Sequence, residues 1–404
     1  MRRLPPVYSP LSLSAIAAAI GGALRGGSDP QDRLTQYLGE RFDAERVLLT
    51  GSGTQALQLA MGCAPSFEGD AAIVALPAYS CFDLVSAAVG AGVRVRFYDI
   101  DPKTLSPDMD SLREALRRGV SAVVAGSLYG YPIEWDKVRY ECRARGTLLI
   151  EDAAQGVGTR SGYDFGGSVG DMTILSFGRG KGWTGGGGGA LLLRDNSALE
   201  ATRLRVGRSS MVRGLRTAAI TLAAWTFGRP LLYGIPAAFP QLGLGETRYH
   251  PPADPARISA FSASLAKAMA SEALDAAETR RERWETWSGA FAKGDPGGDQ
   301  IDMCRPIGGV TDATFLRCAV LVCCVEEMGD RLRAARKLGV EGGYPMCLSD
   351  LPQVQALRLD PSERVGGLPG AERLASTLVT LPVHRWVEGG HVQRVLTLLC
   401  RPKT

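Results

Sequence analysis

A chain of 404 residues is too long for one ordinary core and points to two domains. With 45% hydrophobic residues, 22% charged residues and a net charge of +4, it reads as an ordinary globular chain whose charge is too small to argue for nucleic acid. Nine cysteines without a Cys-x-x-Cys pair and only three histidines (His250, His384, His391) argue against a metal site and for a reducing compartment.

The N-terminus, MRRLPPVYSP, is basic but runs into prolines instead of a long apolar region, so no signal peptide is expected and the cytoplasm is the expected location. Leu11 to Leu24 has helical spacing, with Ser12 or Ser14 as a cap, and Asp29 to Phe42 predicts a second helix. Val47 to Thr50 predicts a strand, followed by the turn Gly51-Ser52-Gly53-Thr54 and a helix to Met61. Such a turn aims free backbone N–H groups from a helix N-terminus and makes a phosphate site of Ser52, Gly53 and Thr54; the simpler reading is a tight turn with Thr54 as a helix cap. Ala71–Leu76, Val93–Tyr98, Ala122–Ala125 and Thr147–Ile150 read as strands, with helices over Asp110–Arg118 and Trp135–Arg145. This alternation means an α/β chain with a mostly parallel sheet and helices on both faces. Ligands of such sheets sit beyond the carboxyl ends of the strands, where Gly51, Pro77, Ser127 and Asp152 converge. Tyr79 and Phe82, which follow Pro77, are either core or part of that rim.

The stretch from Glu151 to Gly189 carries the chemistry. Asp152 follows an apolar strand, and Lys181 lies 29 residues on (181 − 152) among glycines that end in the run Gly185–Gly189. A lysine can hold pyridoxal phosphate (PLP) as a Schiff base, while an aspartate keeps the pyridine nitrogen protonated. Gln155 is within reach of the cofactor's O3′, and Ser176 offers a hydroxyl to its phosphate. Arg179 meets phosphate, a substrate anion or only solvent, with nothing to separate these.

Arg203, Arg205, Arg208, Arg213 and Arg216 precede the apolar run Thr217–Gly228; Arg229 interrupts, and Pro230–Gly245 is again uncharged. Neither run reaches the ~20 apolar residues needed to span a bilayer. Two readings stay open: a lid or dimer-interface excursion over 207–249, or an interfacial membrane element over 203–245 in which basic residues meet headgroups and Trp225, Phe227, Leu231 and Leu232 dip in. Ile258–Trp287 predicts one long helix, Val320–Val325 a strand, Met328–Leu338 a helix and Gly342–Leu348 a loop. The expected division is a large domain over 1–249 and a smaller C-terminal α/β domain over 250–404.

Glu151–Gln155 (EDAAQ), Gly167–Asp171 (Gly-Ser-x-Gly-Asp), Ser176–Lys181 (Ser-Phe-x-x-x-Lys) and Gly185–Gly189, in this order, resemble the DegT/DnrJ/StrS sugar aminotransferases of PLP fold type I. The resemblance is strongest from Leu49 to Leu193 and weakest from about Gly207 to Pro255. It implies a seven-stranded-type sheet in the large domain and a homodimer with active sites at the subunit interface. It implies transfer of an amino group from an amino acid, glutamate first, to a nucleotide-linked keto-sugar; the membrane reading of the basic and apolar segment would suit a lipid-linked one. Lys181 and Asp152 are then the catalytic residues, and Ser52, Gly53, Thr54, Cys81, Phe82, Gln155 and Ser176 hold the cofactor. Tyr79, Arg179 and Arg248 are the weaker substrate candidates. The chain departs from the family in Cys81, where an aromatic usually stacks on the ring, in Ser127 for a histidine, and in Gly186 within a turn that usually carries a glutamate. These departures keep open a silent or regulatory PLP-binding protein. Sugar dehydratases of the family have histidine in place of the lysine, so Lys181 disfavours that reading.

Overall fold

A computed structural model describes residues 3–24, 29–66, 71–161, 164–194, 205–293, 301–307, 313–323, 325–326, 328–356 and 367–399. Arg203, named above, lies outside these residues. Two helices open the chain, α1 (Leu13–Leu24) and α2 (Asp29–Phe42). Strands and helices then alternate: β1 (Arg46–Thr50), α3 (Gly53–Gly62), β2 (Ile73–Pro77), α4 (Asp83–Ala91), β3 (Arg94–Tyr98), α5 (Met109–Arg117), β4 (Ala122–Gly126), α6 (Trp135–Arg143) and β5 (Leu148–Asp152). The short hairpin β6 (Arg160–Ser161) and β7 (Asp164–Phe165) precedes β8 (Met172–Ser176) and β9 (Gly189–Leu193).

These strands build a seven-stranded sheet in the order β1-β9-β8-β5-β4-β2-β3. Only β9 is reversed; it pairs antiparallel with β1 and β8, whereas the β8–β5, β5–β4, β4–β2 and β2–β3 pairs are parallel. The apolar runs read in the sequence are the parallel strands because both faces are covered, which leaves little room for polar residues. Every strand except β9 ends on one rim, so Thr50, Pro77, Gly126, Asp152 and Ser176 share an edge.

The rest of the chain forms α7 (Met211–Phe227), α8 (Ala260–Ala268), α9 (Ala270–Lys293), β10 (Ile301–Met303), β11 (Arg317–Val322), α10 (Gly329–Ala335), β12 (Glu341–Gly342), α11 (Pro352–Ala356), α12 (Pro369–Thr377), β13 (Leu378–Pro382) and α13 (Gly389–Leu399). A four-stranded antiparallel sheet runs β10-β11-β13-β12. The predicted helix over Ile258–Trp287 is two helices with a break at Met269. Ser259 caps the first by accepting from Ser262 N at 3.1 Å. The break lets α8 pack on α1, α2 and α7, on the side of the large sheet, although it follows the division expected at 249. Helix α9 then carries the chain across to the second sheet. The strand expected over Val320–Val325 is Arg317–Val322, where six successive residues are buried.

Two cores result. One lies beneath β2–β5 and continues into the antiparallel sheet through Tyr131, Trp284 and Phe315, with the last two rings stacked 4.4 Å apart. The other fills the space between α1, α2, α8 and the β1–β9–β8 side, with Phe42, Phe177, Trp183 and Phe261 at its centre.

Glu151 is buried one residue before the candidate Asp152. Its Oε1 accepts from Gly167 N at 2.6 Å, and its Oε2 accepts from Val169 N at 2.8 Å and Thr173 Oγ1 at 2.9 Å. Charge-assisted bonds of this kind are about twice as strong as neutral ones. The carboxylate therefore fixes the Gly167–Asp171 loop against the strand that presents Asp152.

A second buried polar group ties the N-terminal segment down. His384 shares a hydrogen bond of 2.9 Å between Nε2 and the Pro5 carbonyl, so Nε2–H donates, while Nδ1 accepts from Trp386 N at 3.4 Å. Four residues past Pro5, Ser9 Oγ donates to the Lys181 carbonyl at 3.2 Å and accepts from Gly180 N at 3.1 Å. Burial pushes the His384 pKa down from 6.5 to about 4, so the folded chain holds a neutral ring. Between those values the unfolded chain binds a proton that the folded chain refuses, and stability falls as pH drops; above 6.5 the group adds no pH dependence. At about 1.4 kcal/mol per unit the full loss is roughly 3 kcal/mol. Denaturant unfolding at about pH 7.5 and about pH 5 is expected to show about 2 kcal/mol of this loss, and His384→Gln to remove that share. An unchanged pH dependence in the variant would count against this origin.

Candidate active site

Asp152 closes β5 and faces the rim. Its neighbour on β4 is Gly126, where a Cβ would stand 2.8 Å from the Asp152 carbonyl oxygen and 2.9 Å from its Cβ. Glycine at 126 is thus what allows the carboxylate its position. Ala154 N donates to Asp152 Oδ1 at 3.0 Å, the one hydrogen bond the side chain makes among the described residues. Desolvation raises the Asp152 pKa above the usual carboxylate range; the Lys181 charge opposes this, and so does the Ala154 N–H. A carboxylate short of positive charge, with one oxygen uncommitted, suits a protonated ring nitrogen.

Lys181 sits on the loop between β8 and β9. Phe177 N to Gly188 O and Gly185 N to Phe177 O, both 2.9 Å, close this loop at its base. The glycine run is explained by helix packing. A Cβ on Gly186, whose φ is +74°, would lie 2.2 Å from Thr221 Oγ1 of α7, and one on Gly188, at +98°, would meet Ile258 at 2.3 Å. The run is therefore the bed on which α7 and α8 lie. Trp183 turns away from the lysine into the second core and donates from Nε1 to Ala266 O at 2.7 Å.

Cys81 joins the same group. Its thiol is pushed up to about 12, first by burial and then by Asp83, while Lys181 pulls it back. It stays a neutral thiol at physiological pH. The expected phosphate cradle is also assembled. Ser176 ends β8 against the first residue of α3, and a Cβ on Gly53 would be 2.7 Å from the Ser176 Cβ. The helix cap is Ser52, which accepts from Gln55 N at 3.2 Å, and not Thr54, which lies in the first helical turn. Ser52 Oγ only accepts in the cap, so its O–H stays free to donate to a phosphate, as do the backbone N–H groups of its neighbours.

Gln155, expected to reach a cofactor, has both ends of its amide engaged. Oε1 accepts from Tyr129 N at 3.1 Å, and Nε2 donates to the Tyr344 hydroxyl at 3.2 Å. Tyr344 comes from the loop after β12 and stacks on Tyr129 at 5.7 Å and 16°. Its ring also meets Tyr79 edge-on at 5.6 Å and Phe82 at 6.5 Å. Tyr79 and Phe82 are buried in this cluster. Sequence reasoning missed Tyr129 and Tyr344; the only local signal is an aromatic set between Gly343 and Pro345. Ser127 lines the cleft with Pro77, Ser80, Gly126, Asp152 and Gln155. Arg179 is exposed, and Arg248 is exposed and paired with Glu246, so the structure brings neither into the group.

The residues fit PLP: a lysine amine, a carboxylate in need of a cationic partner, and a helix N-terminus beside a serine hydroxyl. The model of the DegT/DnrJ/EryC1/StrS aminotransferase family matches residues 16–399. The chain is 28% identical over 185 residues to GDP-perosamine synthase of Vibrio cholerae, covering 46% of this chain and 50% of that one. It is 32% identical over 184 residues to dTDP-4-dehydro-2,3,6-trideoxy-D-glucose 4-aminotransferase of Saccharopolyspora spinosa, covering 45% and 47%. It thus spans about half the length of the curated relatives it matches. Among solved structures, PseC of Helicobacter pylori superposes with a TM-score of 0.74 at 15% identity, covering 98% of both chains. A DegT/DnrJ/EryC1/StrS aminotransferase from Brucella abortus superposes at 0.69 and 19%, covering 96% of this chain and 94% of that one. The fold is accordingly PLP fold type I, as expected from the sequence.

Proposed function

We propose that this chain, which belongs to the DegT/DnrJ/EryC1/StrS aminotransferase family, is a PLP-dependent aminotransferase that moves an amino group from an amino acid, glutamate first, to a keto-sugar carried on a nucleotide or a lipid. The observation that supports the reading is that the Lys181 charge lies near enough to Asp152 to oppose the rise of its pKa, while Ser176 stands against the first residue of α3. When bound, PLP supplies an electron-withdrawing ring that takes up the electron pair left when a substrate C–H bond is broken. Asp152 holds the proton on the ring nitrogen. Lys181 Nζ would take the proton from the donor carbon and return it to the carbon on the far side of the nitrogen, a 1,3-shift by a positioned general base. Gly53 and Thr54 offer backbone N–H groups, and Ser176 its hydroxyl, to the phosphate. Gln155 lines the cleft and holds the Tyr344 hydroxyl, Phe82 packs on Tyr344, and Cys81 lies within the field of Lys181 and Asp152. The enzyme acts as a homodimer in the cytoplasm.

The test loads the protein with pyridoxamine phosphate and offers nucleotide-linked keto-sugars, reading the return of PLP absorbance and the aminated sugar. Return of the band with a keto-sugar supports the reading. A loaded protein that converts with neither keto-sugars nor, in the reverse half, glutamate is a silent binder, and the activity is then excluded.

A further inference from the structure

We propose that the outer face of α7 and the segment after it dock on the surface of a bilayer rich in anionic phospholipid. Ten of the sixteen large hydrophobic residues that the described part of the chain exposes fall between Met211 and Leu244. On α7 they form one stripe. Met211, Val212, Leu215 and Leu222 point outward at 83%, 75%, 67% and 46% exposure, while Thr221, on the opposite face, is fully buried against the glycine run. A helix laid on a protein core ordinarily shows the reverse, with a polar outer face. Past Phe227 the apolar character continues outward through Leu231, Ile235, Phe239 and Leu242.

The charge pattern selects the occupant. From Arg205 to His250 there are six arginines and one acidic residue, Glu246, which pairs with Arg248. Among the described residues Arg205, Arg208 and Arg216 stand in no ion pair and are exposed, whereas Arg213 turns its Nη1 toward Gly51 of the strand-to-helix turn. They crowd the N-terminal end of α7, whose first turn holds no acidic side chain. The positive end of a helix dipole is the less stable place for cations, so this arrangement is favourable only opposite negative charge. Arg229 lies over the Trp225 ring at 4.2 Å, an amphipathic pair of the kind found at lipid–water boundaries. No helix among the described residues is long and apolar enough to cross a membrane, so the element would lie in the interface. Because α7 rests on the glycine loop that carries Lys181, docking would hold the catalytic rim near the lipid surface. The inference does not depend on the proposed activity.

The test is co-sedimentation of the full chain with phosphatidylglycerol–phosphatidylcholine vesicles and with pure phosphatidylcholine vesicles. Binding is expected to the first at low salt, to weaken strongly at high salt, and to be absent from the second. Each of Arg205→Gln, Arg208→Gln and Arg216→Gln is expected to weaken it about fivefold, and the triple variant about a hundredfold. Leu215→Glu with Leu222→Glu is expected to abolish it while leaving PLP absorbance intact; should that variant misfold, the surface arginine variants still decide. Absence of wild-type binding to anionic vesicles, equal binding to both compositions, or unweakened arginine variants overturns the proposal. A wild-type dimer that the leucine variant dissolves, with neither protein binding vesicles, overturns it in favour of a second copy.

Discussion

Lys181→Ala is expected to lose transamination entirely within detection while keeping its fold. The loop that holds the lysine is fastened by the backbone bonds of Phe177 with Gly188 and Gly185 and by the Ser9 hydroxyl on the Lys181 carbonyl, none of which needs the side chain. Removing the amine removes both the covalent anchor for the cofactor and the proton carrier. The proton-transfer role alone is worth about 10²–10⁴-fold. Loss of the covalent step multiplies this, since no lysine lines the cleft beside Asp152 that could replace it. Two readouts separate the roles. Borohydride reduction followed by peptide mapping should place a pyridoxyl group on the wild-type peptide that contains Lys181 and on no peptide of the variant. Added small amines should restore part of the proton transfer but not the anchored cofactor. A variant that turns over at the wild-type rate would remove Lys181 from the mechanism.

Much of this site was readable in the residues because its parts are local. Asp152 follows an apolar strand directly, Gly51 to Thr54 span a strand-to-helix turn, and Lys181 sits among glycines. Each of these signals lies within a few residues of the group it marks. The parts that were not readable depend on contacts distant in sequence. Glu151 reads as half of a motif, but its partners are 16 to 22 residues downstream, and only the folded chain shows that they bond to it. The glycine run marks close backbone approach, and only the folded chain shows that α7 and α8 are what approaches. Tyr344 comes from 189 residues beyond the glutamine it bonds to, out of what reads as a plain loop. The break between α8 and α9 is invisible to periodicity, since the helical pattern continues through Met269 while the packing partners change from one sheet to the other.

Asp152→Asn separates stability from activity in a way few other substitutions here would. In the cofactor-free chain only the Lys181 charge and the Ala154 N–H offset the desolvation of this carboxylate, and they fall short of it, so the pKa is raised. A group whose folded pKa lies above its unfolded value opposes folding at pH above that value, and the opposition fades as the carboxyl protonates on acidification. The neutral amide avoids the cost, so the cofactor-free variant is expected to be at least as stable as wild type near neutral pH, with the difference vanishing in acid. Activity should move the other way. An amide cannot hold a cationic ring nitrogen, and breaking one side of a buried charge pair costs about 3–5 kcal/mol. At 1.36 kcal/mol per factor of ten, that is on the order of a thousandfold in turnover. Cofactor still binds, through the lysine and the α3 cradle, so its absorbance persists. Paired melting curves of the cofactor-free proteins and single-turnover rates of the loaded ones decide the matter. A variant that is both less stable without cofactor and nearly as fast with it would mean that Asp152 supports the strand end and not the ring nitrogen.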